Sequence, residues 1–253
     1  LDRMNVDIEY SRFCGVLEKW AKVYYVEDIL EQLLRDDRIR EHLVRESVFN
    51  YGHRPIKLSG DTNDRLAEEL MGMDHRRLAR ILIEGYENPQ WEGVHDNRYL
   101  LEPLYNLLFT RDASSAIYNR VLINSMSFKV RERETLIYEA IFRHFFGVDT
   151  INAMAWDSDA RTEGGDVQVA SPDLLCVGQG IRTNTKGIKY LCSELEGRST
   201  ATGRPMHILV QELPHKPDSF IHLDMVFTFL GQHQCMAFEP MLKKTGLFAG
   251  KDT

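Results

Sequence analysis

The stretch EGGDVQVASPDLLCVGQGIRTNTKGIKYLCSEL, residues 163–195, contains two short runs of β-type residues followed by a helical pattern. The runs at residues 167–169 and 174–177 predict strands, and residues 187–195 predict a helix. Short β-type runs alternate with helical patterns in the same way from about residue 100 onwards. Strands separated by single helices predict a mixed α/β fold, and they are compatible with a sheet built from similar units.

The elements outside this stretch divide the chain into an α/β part and a helical part. Further strands are predicted at residues 22–26, 121–123, 208–210 and 225–229, and further helices at residues 7–20 and 131–146. Residues 27–86 are predicted to form a small all-helical unit, because apolar residues recur there at helical spacing. Asp61 to Asn63 and Asp74 supply N-caps, and Gly85 ends the last helix. Turn-prone segments are predicted at residues 52–60 and 88–96.

The composition excludes several classes of partner. The 253 residues include 31 Lys and Arg against 38 Asp and Glu, a formal net charge of -7, and they contain no dense basic run. We therefore predict no nucleic-acid partner. Apolar stretches fall well short of the roughly 20 residues that span a bilayer, and the first ten residues lack a signal-peptide pattern. No membrane association and a cytoplasmic location are predicted.

The four cysteines, Cys14, Cys176, Cys192 and Cys235, are widely spread and form no CxxC pair. Neither a zinc knuckle nor a disulfide framework is indicated, so buried free thiols are the default interpretation. Histidines and acidic residues are also present, but they have no HExxH or comparable spacing. We therefore predict no metal and no cofactor.

Four polar clusters lie at the edges of predicted strands, where loops usually carry functional side chains. They are Asn106 with residues 109–112, residues 163–166, residues 180–184 and residues 222–224. Each has a simpler interpretation: residues 163–166 can be a glycine turn, and His222 can be a core histidine. Because residues alternate in direction along a strand, a strand at this position would place His222 and Asp224 on one face.

Together the clusters predict a site for a zwitterionic ligand. Anions come from Asp112, Glu163, Asp166 and Asp224, cations from Arg131 and Arg182, and a proton carrier from His222. Carboxylates pair with a guanidinium through planar, forked hydrogen bonds, and protein arginines can hold a carboxylate. Arginine or a related guanidine is therefore the predicted small-molecule ligand.

The order and spacing of these four segments resemble those of the arginine deiminases, members of the guanidine-modifying enzyme superfamily. This resemblance covers most of the chain and implies a pentein α/β propeller of ββαβ units with an all-helical insertion. It divides the chain into residues 1–26, the start of the propeller without its first strand; residues 27–97, the helical insertion; and residues 98–253, the remainder of the catalytic propeller. The propeller is therefore expected to be incomplete, and a homo-oligomer is possible.

The resemblance also implies roles for single residues. Asp112 and Asp224 would grip the guanidinium, and His222 would shuttle protons while Glu163 orients it. Asn106, Arg131 and Arg182 would contact the amino-acid part of the substrate, and Asp166 is assigned to substrate binding with them. The implied reaction converts arginine to citrulline and ammonia through a cysteine-bound amidino intermediate.

The nucleophile is the point where the chain departs from the family pattern. In the family the cysteine lies far downstream of the histidine segment, near the end of the chain. Cys235 is the only cysteine after Asp224, and it is expected to be a core thiol rather than the nucleophile. We expect an inactive fragment. An amidinotransferase, another guanidine hydrolase and a non-catalytic arginine-binding relative stay open as alternatives.

Overall fold

A computed structural model describes residues 3–50, 60–93, 98–216 and 218–242. Its first element is helix α1 (Arg3–Leu17). The strand predicted at residues 22–26 is wrong, because Val26 begins the next helix and Tyr24 packs edge-on against the rings of Phe145 and Phe146. Aromatic packing therefore takes the place of strand pairing at this position.

The described residues between 26 and 84 are helical apart from short connecting turns, whereas their status as a separate insertion stays a prediction. They contain α2 (Val26–Leu33), α3 (Asp37–Arg45) followed by a π-helical turn (Glu46–Asn50), α4 (Gly60–Met71) and α5 (His75–Glu84). The first two of these helices are separate, because the Asp36 carboxylate accepts a hydrogen bond from the Arg38 amide at 2.9 Å and starts α3 there. Most of the predicted turn at residues 52–60 lies outside the described residues.

Both ends of α5 are as the sequence indicates. The Asp74 carboxylate accepts a hydrogen bond from the Arg77 amide at 3.0 Å. Gly85 ends the helix with φ +87°, and a Cβ there would lie only 2.7 Å from the Leu101 carbonyl oxygen. Glycine is needed at this position because the backbone is both left-handed and in close contact.

The α/β part contains two consecutive ββαβ units. The first unit consists of β3 (Ser114–Ile117), β4 (Arg120–Ile123), α6 (Lys129–Ala140, then a π-helical turn Ile141–Phe145) and β5 (Thr150–Asn152). The second unit consists of β6 (Val167–Ser171), β7 (Leu174–Gln179), α8 (Thr185–Thr202) and β8 (His207–Glu212). Each unit pairs its first two strands antiparallel and its last two parallel. The predicted α/β fold is confirmed, and the structure shows that both of these sheets are mixed.

Shorter elements complete the described chain. Strands β1 (Tyr86–Glu87) and β2 (Tyr99–Leu101) join the helical unit to the first ββαβ unit, and the short helix α7 (Ala153–Trp156) follows β5. A third ββα pattern begins with β9 (Phe227–Gly231), β10 (Gln234–Ala237) and α9 (Glu239–Leu242). The strand predicted at residues 225–229 starts later than expected, because Leu223–Met225 form a 3₁₀ turn. The first strands of successive units are neighbours, since β6 contacts both β3 and β9.

One hydrophobic core joins the helical unit to the first ββαβ unit. Leu30 and Leu82 from the helices belong to the same buried cluster as Met126 and Leu136 beside and within α6. A second cluster, around Leu175, packs the two sheets against α8. Within the described ranges, no helix is long and apolar enough to cross a membrane.

Candidate active site

The repeated topology brings the predicted acidic residues to one place. Asp112 lies just before β3, Asp166 just before β6 and Asp224 shortly before β9. Since these three strands are neighbours, their preceding loops meet at one end of the sheets. Both predicted arginines follow the second strand of a unit: Arg131 lies in the first turn of α6, and Arg182 lies between β7 and α8.

A cavity of about 700 Å³ opens where these loops meet. Six of the eight predicted site residues line it: Asn106, Asp112, Arg131, Arg182, His222 and Asp224. Glu163 and Asp166 are fully buried behind this surface. The rim is apolar, with exposed side chains from Phe109, Phe128 and Met225. The structure therefore brings all four predicted polar clusters around one cavity and separates them into a surface layer and a buried layer.

Glu163 is the most heavily hydrogen-bonded carboxylate of the buried layer. Its Oε2 lies 2.9 Å from Nε2 of His222 and 3.3 Å from a guanidinium nitrogen of Arg182. Its Oε1 accepts from the Ser127 amide at 3.0 Å. Burial alone would raise the pKa of Glu163, but these donors lower it below the ordinary value of 4.5. Glu163 therefore stays ionised beside the imidazole.

The same contact sets the proton affinity of His222. Burial alone would lower the pKa of this histidine, but the hydrogen bond to Glu163 and the charge of Asp166 raise it above 6.5. Only 7% of the side chain is exposed, and that part faces the cavity. The simpler interpretation of His222 as a satisfied core histidine is thus incomplete, because its ring also forms part of the cavity wall.

The two glycines between Glu163 and Asp166 allow this packing. A Cβ at Gly165 would lie 2.6 Å from Cγ of His222, and one at Gly164 would lie 1.8 Å from the carbonyl oxygen of Arg111. Real Cβ atoms do not approach other atoms this closely. A glycine turn is present, as the simpler interpretation holds, but its function is to let two loops of the site touch.

Asp166 binds the backbone of the residue that follows His222. Its Oδ1 accepts a hydrogen bond from the Leu223 amide at 2.9 Å, and burial raises its pKa to about 6. This bond holds the 3₁₀ turn in which residues 223–225 lie. The prediction that His222 and Asp224 alternate along a strand is therefore wrong, since a turn precedes β9. Both side chains nevertheless reach the cavity.

Asp112 lies in an ion network that the sequence did not fully reveal. One of its oxygens lies 2.8 Å from a guanidinium nitrogen of Arg131, which also pairs with Glu134 at 2.8 Å. Arg131 is 6% exposed, donates to the Asn106 carbonyl at 3.4 Å and lies under the ring of Phe109. Burial alone would lower the pKa of Arg131, but its carboxylate partners raise it. Arg131 is a fixed positive charge in the wall.

Sequence reasoning missed three residues of this site. Glu134 follows Arg131 by three positions on a helix, a spacing that could have indicated the pair. Phe128 lies 4.6 Å from the Arg182 guanidinium, a cation–π contact for which the sequence holds no signal. Arg111 pairs with Asp224 at 3.1 Å and was noted only as part of a segment.

A metal ion is a poor fit to this site. Ligand atoms of Asp112, Glu163 and His222 lie within 4.8 Å of one another. However, Arg131 and Arg182 already lie against the two carboxylates. A divalent cation would have to approach two guanidinium groups, which Coulomb repulsion opposes.

The cysteines lie elsewhere. Cys14 and Cys176 are buried and Cys192 is half-buried. Cys235 is exposed on β10, so its expected place in the core is wrong. It pairs with Phe229 on a hairpin whose side chains are mostly exposed. Among the described residues that line the cavity, none is a cysteine.

The family model and the curated relatives name one family. The family model described as arginine deiminase matches residues 4–253. An arginine deiminase of Limosilactobacillus reuteri is 27% identical over 94% of this chain and 59% of its own length. One of Borrelia recurrentis is 29% identical over 87% of this chain and 55% of its own length. The chain thus spans somewhat more than half the length of these relatives.

Solved structures give weaker likenesses. DDAH from Pseudomonas aeruginosa, a cysteine-to-serine mutant complexed with citrulline, has 22% identity and a TM-score of 0.43 over 54% of this chain and 49% of its own. The N-terminal domain of ArgZ, an arginine dihydrolase from Cyanobacteria, has 20% identity and a TM-score of 0.46 over 55% of this chain and 46% of its own. The family model, in contrast, covers nearly every residue, and the chain belongs to the arginine deiminase family.

Proposed function

We propose that this chain binds the guanidinium group of free arginine and takes part in its hydrolysis to citrulline and ammonia. One observation carries the proposal: Asp112 and Asp224 face a single cavity beside the hydrogen-bonded pair of His222 and Glu163. Two carboxylates can hold a planar cation by charge-assisted hydrogen bonds. The imidazole is then beside the bound group.

The roles of the side chains follow from their charges. Asp112 and Asp224 would keep the ligand guanidinium protonated and fix its carbon in position. His222, whose pKa lies above 6.5 because of Glu163, would carry the proton that leaves with ammonia. The neutral imidazole would then accept a proton from the attacking water.

The amino-acid part of the ligand would lie toward Asn106 and Arg182. Arg182 is 14% exposed and gives one nitrogen to Glu163. Arg131 is more fully engaged, since Asp112 and Glu134 both hold its guanidinium. We therefore propose Arg182 as the main partner of the ligand carboxylate, with Arg131 contributing its charge.

The covalent step needs a thiol. In the implied reaction, a cysteine sulfur bonds to the guanidinium carbon and a carbon–nitrogen bond breaks to release ammonia. Water then attacks the same carbon, and the sulfur–carbon bond breaks to free the ureido product. The described lining offers no cysteine. That observation favours a second candidate function, arginine binding without turnover by this chain; an amidinotransferase or other guanidine hydrolase stays an alternative.

The propeller is also a proposal. The two ββαβ units share one topology, and β9 and β10 repeat its antiparallel pair. Contacts among the first strands of the units support an arrangement of the units around an axis. A cytoplasmic location and a homo-oligomer remain predictions.

Calorimetric titration of the chain with L-arginine tests for binding. A citrulline assay on the same sample separates the two candidate functions, hydrolysis of arginine and arginine binding without turnover. Saturable binding with citrulline release supports hydrolysis, and binding without release supports the second candidate. Asp149→Asn is the control for carboxylate substitutions in the cavity and should bind arginine like the wild type. Asp149 is an exposed carboxylate that pairs with Arg120 outside the cavity. The absence of arginine binding would overturn both candidate functions.

A further inference from the structure

Arg111 already places a guanidinium on one of the two carboxylates that line the cavity. Its Nε lies 3.1 Å from Oδ2 of Asp224, and its terminal nitrogen donates to the Val167 carbonyl at 3.3 Å. The side chain also lines the cavity. A protein guanidinium therefore occupies part of the position that the proposed ligand guanidinium needs.

Arg111 differs from Arg131, the other arginine paired with a cavity carboxylate. Arg131 is 6% exposed and is held by two carboxylates and a carbonyl. Arg111 is 54% exposed, and its guanidinium contacts one carboxylate, that of Asp224, and one carbonyl, that of Val167. A half-exposed ion pair is weakly held because water competes for both charges. Arg111 is thus free to move away while Arg131 stays.

We propose that Arg111 is an internal competitor whose guanidinium is displaced from Asp224 when a substrate guanidinium binds. This inference rests on the proposed function and adds a residue that sets affinity and selectivity. The exchange replaces one guanidinium by another on the same carboxylate, so the site keeps its charge balance before and after binding. A ligand without positive charge gains nothing from displacing Arg111.

The charge of the surrounding groups gives the direction of the effect. Asp112, Glu163, Asp166 and Glu134 contribute negative charge, and Arg131 and Arg182 offset part of it. Removing the charge of Arg111 leaves Asp224 without the guanidinium that pairs with it. A cationic ligand should then bind more tightly, because it no longer competes with a resident cation.

The test compares a charged ligand with a neutral one of the same shape. Arg111→Gln removes the charge and keeps an amide that can donate to the Val167 carbonyl. We expect this variant to bind L-arginine about threefold to fivefold more tightly, the upper part of the range for a solvent-exposed ion pair. L-Citrulline, whose ureido group is neutral, should change by less than twofold. Arg98→Gln is the matched control, since Arg98 is 51% exposed and pairs with Glu87.

Each result decides a different point. Equal arginine affinity in Arg111→Gln and the wild type overturns the competitor role and leaves the proposed function standing. Weaker arginine binding also overturns it, because Arg111 would then orient Asp224 for the ligand. Parallel gains for arginine and citrulline indicate a general opening of the cavity, which contradicts charge competition. If arginine binds neither protein, the proposed function fails and this inference fails with it.

The wild-type protein offers a second measurement if the variant does not fold. The Hε proton of Arg111 is protected by its ion pair with Asp224. On addition of L-arginine its exchange with water should accelerate, whereas citrulline should leave the rate unchanged. Unchanged exchange at saturating arginine would contradict displacement.

Discussion

Glu163→Gln removes the buried charge on which the histidine depends. The wild-type carboxylate accepts from His222, Arg182 and the Ser127 amide at distances of 2.9 to 3.3 Å. A glutamine amide has one oxygen and one donor group, so it faces at least one of these donors with a nitrogen. Breaking a buried, charge-assisted network in this way costs about 2–4 kcal/mol of unfolding free energy.

The pH dependence of this loss follows from two pKa shifts. The raised pKa of His222 stabilises the fold fully below pH 6.5, and this contribution disappears as the pH rises through the raised pKa. The lowered pKa of Glu163 stabilises the fold fully above pH 4.5, and this contribution disappears as the pH falls through the lowered pKa. The difference between wild type and variant should therefore be largest between pH 4.5 and 6.5.

Urea denaturation at a series of pH values measures the difference. Glu139→Gln is the matched control: Glu139 pairs with Arg143 at 3.1 Å, but the two side chains are 24% and 52% exposed. Its loss should stay below about 1 kcal/mol and show no maximum. A Glu163→Gln difference that is small, or constant across the pH range, would refute the assignment of Glu163 as the partner of a protonated His222.

Three further substitutions test separate features. Asp112→Asn should weaken L-arginine binding by about 1.5–3 kcal/mol, the value of a lost hydrogen bond to a charged group, and calorimetry showing unchanged affinity would contradict its role. Gly165→Ala should lower the unfolding free energy by about 1–3 kcal/mol, because its Cβ meets the His222 ring at 2.6 Å; urea denaturation checks this, and a neutral effect would show that the loops separate freely. Asp74→Ala should cost about 1 kcal/mol by the same measurement, since the Arg77 amide loses its cap, and should leave arginine binding unchanged.

The sequence predicts the convergence of the site through the order and spacing of its four polar segments, and the equivalent points that they occupy in repeated units give the physical reason. Asp112, Asp166 and Asp224 all precede a first strand, and first strands of neighbouring units touch. Local patterns also identified α5, whose cap residue Asp74 and end residue Gly85 act as their types suggest. In both cases local sequence and tertiary packing favour the same structure.

Features that depend on distant partners could not be predicted. Tyr24, in the β-type run at residues 22–26, packs on aromatic rings more than a hundred residues away. The 3₁₀ turn at residues 223–225 donates its Leu223 amide to Asp166, which lies in another loop. Cys235 follows a strand pattern, but its hairpin is exposed. The pairing of Arg111 with Asp224 likewise joins two loops that no sequence pattern relates.

Histidine resonances of the chain during an L-arginine titration test the central claim most directly. If the carboxylates hold a guanidinium beside the imidazole, the His222 ring signals should shift and saturate with the ligand. Signals of His75, which lies at the start of α5 and outside the cavity lining, should not move. An unchanged His222 at saturating arginine, or equal shifts at both histidines, would contradict the account.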